Sequence, residues 1–443
     1  MKKPVKLLSS ALALSLVLGT LAGCGNASKT PENSSAGTAQ STATAKPADK
    51  KVNLKFVIWD YNKAPEYKDL IDAFTKENPN ITIEPADITA ADYTNKTTIM
   101  LASGDDSDLI GVKAMPEYSS YVQKKQIIAI DDMIAKDKID PAGYAGMLDG
   151  LKLDGKTYAL PYRSDFWVLF YNKDLFDKAK VAYPTNDMTW DQFRETAKKL
   201  TSGQGNDKVY GAYVHTWKSA VMNWGVADKK GTMVDGKYDF AKQYYQMFLG
   251  MQNEDKSIMD LATAKTSSAS YAGQFESGKV GMCLMGAWFV GTLITDKNAG
   301  KHNINWSMVS VPHNPGVQPG TTFGNVTPLA INSNSKNKEE AWKFVKFVGS
   351  EAGAKILAAR GVMPAFRSQA VMDVYTSTKG FPAEGKDALK TSSVTIEFPP
   401  DKNGGAIDKA LQEEHELIMI GKNSVDAGLA AMAKRVADIK AGN

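Results

Sequence analysis

Cysteine and histidine are scarce in this sequence, and their scarcity limits the sites that it can build. Only two cysteines, Cys24 and Cys283, occur among 443 residues. They are too few for a zinc site made of three or four cysteines, and no intrachain disulfide can form if Cys24 is modified. The four histidines are scattered and form neither a triad nor a ligand cluster by spacing. No P-loop, GxGxxG or GxSxG motif is present. We therefore expect no metal and no cofactor.

The folded part of the chain has little net charge. The formal net charge is +4 at pH 7, and the first 50 residues account for it, because the rest carries equal numbers of basic and acidic side chains. No basic field is left to attract nucleic acid. A content of 43% hydrophobic and 23% charged residues is typical of a globular protein. The roughly 390 residues after the first 50 suffice for two or three domains.

The N-terminal segment has the pattern of a secretory signal peptide, which we assign to residues 1–23. Three lysines precede a mostly apolar run, Leu7 to Leu18, which is shorter than the about 20 residues that a membrane-spanning helix needs. Leu21-Ala22-Gly23-Cys24 resembles the lipobox of bacterial lipoproteins, which implies a lipid on the Cys24 thiol. The alternative is a plain cleavage site with an incidental cysteine.

Residues 24–50 would then be a lipidated cysteine followed by a flexible tether. Ser, Thr, Ala, Gly, Pro and Lys dominate this segment, and such a composition cannot bury enough apolar surface to fold. The lipid would hold the protein at the outer face of the bacterial cytoplasmic membrane, on the extracellular side.

Strands and helices alternate from residue 52 onward. A buried strand, Leu54 to Trp59, is followed by a helix with an apolar face and by two further strand–helix steps. Alternation of this kind predicts parallel strands covered by helices, and therefore an α/β fold. Later helices are predicted from a capping box at Thr189, from an apolar stripe over 337–349 and from Ser424. Cys283 lies in a strand-like run and is predicted to be a buried, inert thiol.

Several stretches, in chain order, resemble the extracellular solute-binding protein family 1, the sugar-binding lipoproteins of ABC importers. The stretches are Phe74–Pro79, Leu101–Ile110, Asp154–Pro161, Phe170–Phe176, Thr189–Phe193, Phe275–Met282 with Gly286-Ala287-Trp288, and Lys338–Phe344. Each is weak alone, but together they cover nearly all of residues 52–443. One departure is Ser107, where the family usually has proline.

The resemblance implies a two-lobed periplasmic-binding-protein-like (type II) α/β fold, with an interlobe ligand cleft and hinge crossings. The N-terminal lobe would comprise residues 52–162 plus 321–355, and the C-terminal lobe residues 163–320 plus 356–443. The crossings would lie near Pro161–Ser164 and near Pro312–Gly320. The implied partners are a sugar and the permease subunits of an ABC transporter, with the protein itself expected to be a monomer.

The tryptophans are the aromatic candidates for the cleft, because an indole plane suits the apolar C–H face of a sugar ring. Trp59 ends the first parallel strand, where ligands of open α/β sheets bind. The resemblance implies that Trp288 occupies the position of an aromatic residue that stacks on sugars in the family. Trp167, Trp217 and Trp224 are further candidates. The remaining three are predicted to start a helix (Trp190), to lie in a strand (Trp306) and to pack in a core (Trp342).

Polar candidates are needed for the sugar hydroxyls, which both donate and accept hydrogen bonds. They are Asp60, Asp105, Asp108, Arg163, Asp165 and Asn325. Asp60 follows Trp59 directly. Asp105 and Asp108 are candidates on the basis of the family resemblance alone, and they could be ordinary loop carboxylates. Arg163 and Asp165 flank the first crossing and could instead bond each other, and Asn325 could serve a turn.

The leading hypothesis is a membrane-tethered, non-enzymatic receptor that captures an oligosaccharide by lobe closure and passes it to a permease. Two alternatives remain open at this point. One is a glycosidase, which would need two carboxylates about 5–9.5 Å apart across the scissile bond. The other is the same scaffold with a peptide or another small solute as its cargo.

Overall fold

The computed structural model describes residues 51–90, 92–144 and 146–442. The predicted signal peptide and tether, with Cys24, lie outside these described residues. In the described part of the chain, no helix has both the length and the apolarity that crossing a membrane would require.

Strands and helices alternate one by one over residues 52–123, and several successive helices separate most of the later strands. The strands are β1 (Val52–Trp59), β2 (Ile81–Ile88), β3 (Leu109–Gly111), β4 (Ala159–Asn172), β5 (Tyr210–Tyr213), β6 (Val280–Gly286), β7 (Trp306–Val309), β8 (Thr321–Ile331) and β9 (Ser393–Ile396). The helices of the first half are α1 (Pro65–Glu77), α2 (Tyr93–Ala102), α3 (Met115–Gln123), α4 (Asp131–Lys136), α5 (Met147–Gly150), α6 (Lys173–Ala179), α7 (Trp190–Leu200) and α8 (Ser219–Ala227). Those that follow are α9 (Lys242–Asn253), α10 (Leu261–Thr266), α11 (Tyr271–Glu276), α12 (Phe289–Asn298), α13 (Lys338–Gly349), α14 (Glu351–Ala359), α15 (Gln369–Thr376), α16 (Gly404–Met419) and α17 (Val425–Ala441).

The helices form where the sequence supplies a cap and an apolar stripe. Thr189 caps α7 with the predicted capping box, in which Thr189 and Gln192 satisfy each other's backbone N–H groups. The Ser424 side chain caps α17. The predicted stripe of α13 is buried as expected. Trp190 begins α7, Trp306 lies in β7 and Trp342 is buried, so the packing roles predicted for these three tryptophans are confirmed.

One sheet path runs through the molecule in the order β2-β1-β3-β8-β4-β6-β5. The β1 strand pairs in parallel with β2 and β3, and β5 pairs in parallel with β6. Between these two parallel groups stand the long antiparallel strands β4 and β8. Residues 159–166 of β4 pair with β8, whereas residues 167–172 pair with β6 and β7. The strand β4 therefore belongs to both halves of the sheet.

The hydrophobic core divides at the same strands. One cluster gathers buried residues from Val52 to Tyr162 and from Val326 to Leu357, and it forms the core of the first lobe. Two further clusters cover opposite faces of the second half of β4 and form the core of the second lobe. Phe166 and Trp167, for example, are neighbours in sequence but lie in different clusters because side chains alternate across a strand. The α/β fold with two lobes matches the prediction from the sequence.

A third segment also passes between the lobes. The backbone N–H of Ser164 donates to the Met363 carbonyl (3.3 Å), and the N–H of Ala365 donates to the Tyr162 carbonyl (2.9 Å). Helix α14, which precedes this segment, places Leu357 in the core of the first lobe and Ala358 in that of the second. The path from one lobe to the other thus consists of β4, β8 and the segment 363–365.

Cys283 lies inside β6 and is fully buried as a free thiol. Burial raises the pKa of this thiol, because the thiolate would lose its hydration. The prediction of a buried thiol is confirmed.

Candidate ligand cleft

The carboxyl ends of the parallel strands in the two lobes face a common gap. In the first lobe, β1 ends at Trp59 and β3 at Gly111. In the second lobe, β6 ends at Gly286 and is followed by Trp288. Residues 163 to 167 of β4 lie between the two groups, and at about 3.3 Å per residue they span roughly 13 Å. Ligands of open α/β sheets bind at these carboxyl ends.

A cavity of about 580 Å³ opens at this place. Lys63 and Glu66 of the first lobe line it, together with Arg163 and Asp165 of β4 and Trp288 of the second lobe. Three predicted site residues are therefore brought together: Arg163, Asp165 and Trp288. A slightly larger cavity, of about 610 Å³, lies at the amino end of β5 and contains none of the predicted residues. We place the candidate site in the first of these cavities because it adjoins both lobes.

The charged groups at the floor of the cavity each have one buried atom that lacks a hydrogen-bond partner. Asp165 is only 9% exposed, and its Oδ1 atom is buried without a hydrogen-bond partner in the described part of the chain. The same holds for Nε of Arg163 and Nε of Arg367. No ion pair within 4.0 Å joins Asp165 to either guanidinium among the described residues. The alternative that Arg163 and Asp165 bond each other is thus not what the structure shows.

The pKa values of these groups follow from their burial. Burial raises the pKa of Asp165, and the positive charges of Arg163 and Arg367 only partly oppose this rise. Burial lowers the pKa of Arg367 to about 10. The Arg367 guanidinium donates to the Ser164 carbonyl (3.2 Å) and hydroxyl (2.9 Å) and lies 4.7 Å from the Phe166 ring centroid. Arg367 is therefore held in place, while Arg163 and Asp165 keep unmatched hydrogen-bonding atoms.

Further aromatic side chains adjoin Trp288, which alone among them lines the cavity. Trp288 is half-buried, and Trp217 is 38% exposed, which is unusual for so large an apolar side chain. Their ring centroids are 6.4 Å apart. The ring centroid of His215 lies 4.4 Å from that of Trp217, and the two rings are perpendicular. The ring centroid of Tyr271 lies 6.3 Å from that of Trp217. We call His215, Trp217, Tyr271 and Trp288 the aromatic cluster.

Trp59 and Asp60 stand on the first-lobe rim. Trp59 is half-buried and packs against Tyr93 with ring centroids 5.0 Å apart. Asp60 adopts a left-handed backbone conformation, with φ of 49°. Its Oδ1 accepts from the Ala90 backbone N–H (3.2 Å) and lies 3.5 Å from the Lys63 ammonium. Neither Trp59 nor Asp60 lines the cavity itself, although Lys63 next to them does.

Trp167 and Trp224 lie behind the aromatic cluster. They are 1% and 2% exposed and meet edge to face with ring centroids 5.7 Å apart. Trp167 also packs against Trp217 (6.4 Å) and Trp288 (6.1 Å). We correct the predicted ligand contact of Trp167 and Trp224 to a packing role, because neighbouring rings cover both of them.

Asp105 and Asp108 lie at the opposite end of the sheet from Trp59. Asp108 is buried and accepts from the Lys55 backbone N–H (2.9 Å) and from the Ser335 hydroxyl (2.6 Å). Asp105 accepts from the Ser107 backbone N–H (2.9 Å). Asp108 directly precedes β3, so both carboxylates fix the loop at the amino end of that strand. We correct their predicted role from ligand binding to loop fixation.

Asn325 pairs with Asp165 across β4 and β8 and is half-buried. Its side-chain oxygen accepts from the Val326 backbone N–H (2.8 Å). The position beside Asp165 keeps Asn325 a candidate for the cleft floor.

The sequence did not identify His215 or Tyr271 as site residues. They follow β5 and begin α11, respectively, and only the fold brings them to Trp217. As for metals, no group of three or more His, Cys, Asp or Glu side chains in the described ranges could hold an ion.

Residues 61–355 match the model of a known protein family, the bacterial extracellular solute-binding proteins. The chain belongs to this family. The resemblance found in the sequence is therefore confirmed, and so is the two-lobed fold that it implied. Solute-binding proteins with solved structures superpose well on this chain. A sugar transporter from Rhizobium etli in an open conformation is 42% identical, with a TM-score of 0.81, and the match covers 87% of this chain and 99% of that one.

More distant solute-binding proteins are also similar. A substrate-binding protein of Listeria monocytogenes in complex with cycloalternan has a TM-score of 0.76 at 22% identity, covering 89% of this chain and 100% of that one. The lactose-binding protein of Rhizobium radiobacter is 23% identical over 343 residues, which are 73% of this chain and 77% of that one. The melibiose/raffinose/stachyose-binding protein of Bacillus subtilis is 24% identical over 82% of each chain.

Proposed function

We propose that this protein is the substrate-binding lipoprotein of an ABC transporter and that it captures an oligosaccharide in the interlobe cleft. The observation that carries the proposal is the cavity that Trp288 lines together with the Asp165 carboxylate and the Arg163 guanidinium. An apolar ring next to a charged acceptor and a charged donor suits a sugar, which combines a C–H face with a rim of hydroxyls. Relatives named for lactose and for melibiose, raffinose and stachyose support the same ligand class.

Each group of residues has a defined role in this proposal. Trp217 and Trp288 stack on sugar rings, Asp165 accepts from hydroxyls, and Arg163 donates to them. Asn325 adds a further polar contact on the floor. Trp59 and Asp60 approach the ligand from the first lobe when the lobes close about β4 and β8. The lobes are close to those proposed from the sequence, 52–162 plus 321–355 and 163–320 plus 356–443. The bounds shift by a few residues, because Phe323 packs in the core of the second lobe and Leu357 in that of the first.

The protein would work as a monomer tethered to the membrane. A lipid on Cys24 and the tether over residues 25–50 would keep the lobes at the outer face of the cytoplasmic membrane, close to the permease that receives the sugar. Signal peptide removal before Cys24 is part of the same proposal. The permease would distinguish the closed form from the open one, because the ligand stabilises closure.

A thermal-shift panel tests the proposed ligand class. The panel contains lactose, melibiose, raffinose, stachyose, maltotriose and mannitol, and a sugar that binds only the native state raises the Tm by mass action. We expect at least one oligosaccharide to do so. A panel without any shift would contradict the proposal, and new reducing ends released from a panel sugar would replace it with a hydrolase.

The Asp165→Asn variant tests the cleft floor. The asparagine amide keeps the shape of the carboxylate but is a weaker acceptor for sugar hydroxyls. We therefore expect the binding free energy to weaken by about 1.5–3 kcal/mol, which is the contribution of a hydrogen bond to a charged group. Titration calorimetry with the stabilising sugar measures this loss. Asp105→Asn is the matched control, since Asp105 lies at the far end of the sheet and should leave affinity unchanged. Equal affinities of wild type and Asp165→Asn would remove Asp165 from the site.

A further inference from the structure

His215 has no role so far beyond its membership of the aromatic cluster. It lies two residues after Tyr213, the last residue of β5, and two residues before the exposed Trp217. Its ring stands perpendicular to those of Trp217 (89°) and Tyr271 (86°). The ring orientation is thus fixed by packing, and the remaining question is where its proton resides.

A hydrogen-bond chain determines the proton position on His215. The Tyr213 hydroxyl oxygen lies 3.0 Å from the Ala269 carbonyl oxygen and 3.0 Å from Nδ1 of His215. A carbonyl can only accept, and Ala269 is buried, so the single hydroxyl proton of Tyr213 goes to Ala269. The hydroxyl oxygen must then accept from His215, which places a proton on Nδ1. Burial lowers the pKa of His215 to about 4, so the ring is neutral at pH 7 and has no second proton.

The other ring nitrogen, Nε2, is therefore an acceptor. Nδ1 and Nε2 point in nearly opposite directions, and Nδ1 is anchored to the buried Tyr213, so Nε2 points away from the interior. Within the described residues, Nε2 forms no hydrogen bond, and it is not among the buried atoms that lack a partner, so it is open to solvent. An acceptor with a fixed direction thus stands beside the exposed face of Trp217.

We propose that His215 is a ligand-binding residue whose Nε2 accepts a hydrogen bond from a sugar hydroxyl, with Tyr213 as the positioning residue that fixes the tautomer. The inference rests on the proposed sugar-binding function and extends it. A hydroxyl can donate to Nε2 while the C–H face of the same sugar lies on Trp217. A ligand with an ether or a carbonyl oxygen at that position cannot donate and is disfavoured.

The tautomer is tested in the ligand-free protein by ¹⁵N NMR of the histidine rings at pH 7. We expect a protonated Nδ1 and an unprotonated Nε2 for His215. His302 is the internal reference, because its Nε2 lies 2.9 Å from the Leu293 carbonyl oxygen and must carry the proton. The two residues should show opposite patterns. A proton on Nε2 of His215 would overturn the inference whether or not any sugar binds.

Two substitutions then separate ligand binding from packing. In His215→Asn the side-chain amide can keep the hydrogen bond to Tyr213 but does not reach the position of Nε2. In His215→Gln the longer side chain brings its amide to the position of Nε2. With the panel sugar that most raises the Tm, we expect roughly 10-fold weaker binding for His215→Asn and recovery to within a few-fold for His215→Gln. Tyr213→Phe should give an intermediate loss and a mixture of tautomers.

The outcomes distinguish this inference from the function on which it rests. If no panel sugar binds the wild-type protein, the proposed function fails and this inference fails with it. If a sugar binds wild type and His215→Asn equally well, only the role of His215 is overturned.

Discussion

At the scale of single residues, the cleft floor holds charge where water hardly reaches it. Asp165 and Arg163 are neighbours on β4 without an ion pair between them, and each has a buried atom that lacks a partner. Such atoms cost free energy in the folded protein. Both residues also line the cavity, so in the proposed complex a ligand would meet a carboxylate that accepts and a guanidinium that donates.

Substitutions of Trp217 and Trp224 compare a tryptophan proposed to bind ligand with one that packs in the core. Trp217→Ala removes a partly exposed ring, so we expect binding of the stabilising sugar to weaken by about 1 kcal/mol with little change in the free energy of unfolding. Trp224→Ala should instead lower the free energy of unfolding by about 3–5 kcal/mol, because its ring is buried. Calorimetry and urea unfolding measure the two effects. A large stability loss in Trp217→Ala without a loss of affinity would assign Trp217 to the core.

At the scale of secondary-structure elements, β4 and β8 connect the lobes by direct pairing. Gly324 on β8 faces Phe166 on β4, and a Cβ atom at Gly324 would lie 2.1 Å from the Asp165 carbonyl oxygen. The two strands can approach this closely only because glycine has no side chain here. The contact lies directly beside the cleft floor, so the strand pairing also positions Asp165.

Gly324→Ala should therefore disturb both stability and binding. We expect the free energy of unfolding to fall by about 1–3 kcal/mol, because backbone must move to admit the methyl group, and sugar affinity to fall with it. Gly405→Ala in α16 is the control, since a Cβ atom there meets nothing within 4 Å and alanine favours the helix. Urea unfolding compares the two. Equal stabilities would mean that β8 moves away from β4 at no cost.

At the scale of the whole molecule, the proposed capture of a ligand would change the angle between the lobes. The parallel strands of both lobes end at the cleft, while β4, β8 and the segment 363–365 connect the lobes. A ligand that touches Trp288 in one lobe and the Trp59 rim in the other favours the closed arrangement.

Small-angle scattering should detect this closure. We expect the radius of gyration to fall when the stabilising sugar is added to the wild-type protein. At the same sugar concentration, Asp165→Asn should show a smaller fall, because fewer molecules are liganded, and Asp105→Asn should behave like wild type. Identical scattering curves with and without the sugar would contradict capture by lobe closure.

Much of this molecule could be predicted from its sequence, and the exceptions have physical causes. Apolar periodicity and caps identified α7, α13 and α17 because these signals are local. The burial of Trp167 could not be predicted, since it depends on the rings of Trp224, Trp288 and Phe323, which are distant in sequence. Asp108 was a candidate through the family resemblance alone, and its bonds to Lys55 and Ser335, which are distant in sequence, could not be predicted. The role proposed for His215 could not be predicted from sequence, because it depends on contacts among the His215 ring, the Tyr213 hydroxyl and the Ala269 carbonyl.

The aromatic cluster lies entirely outside β4 and β8. His215 and Trp217 follow β5, Trp288 follows β6, and Tyr271 begins α11. In the proposed receptor, substitutions in this cluster would change the stacking contacts with the sugar and leave the connecting strands unchanged, whereas Asp165, Arg163 and Asn325 stand on those strands themselves. Related receptors would then differ in sugar preference mainly through loops of the second lobe, while the polar contacts vary little because the same residues' strands join the lobes.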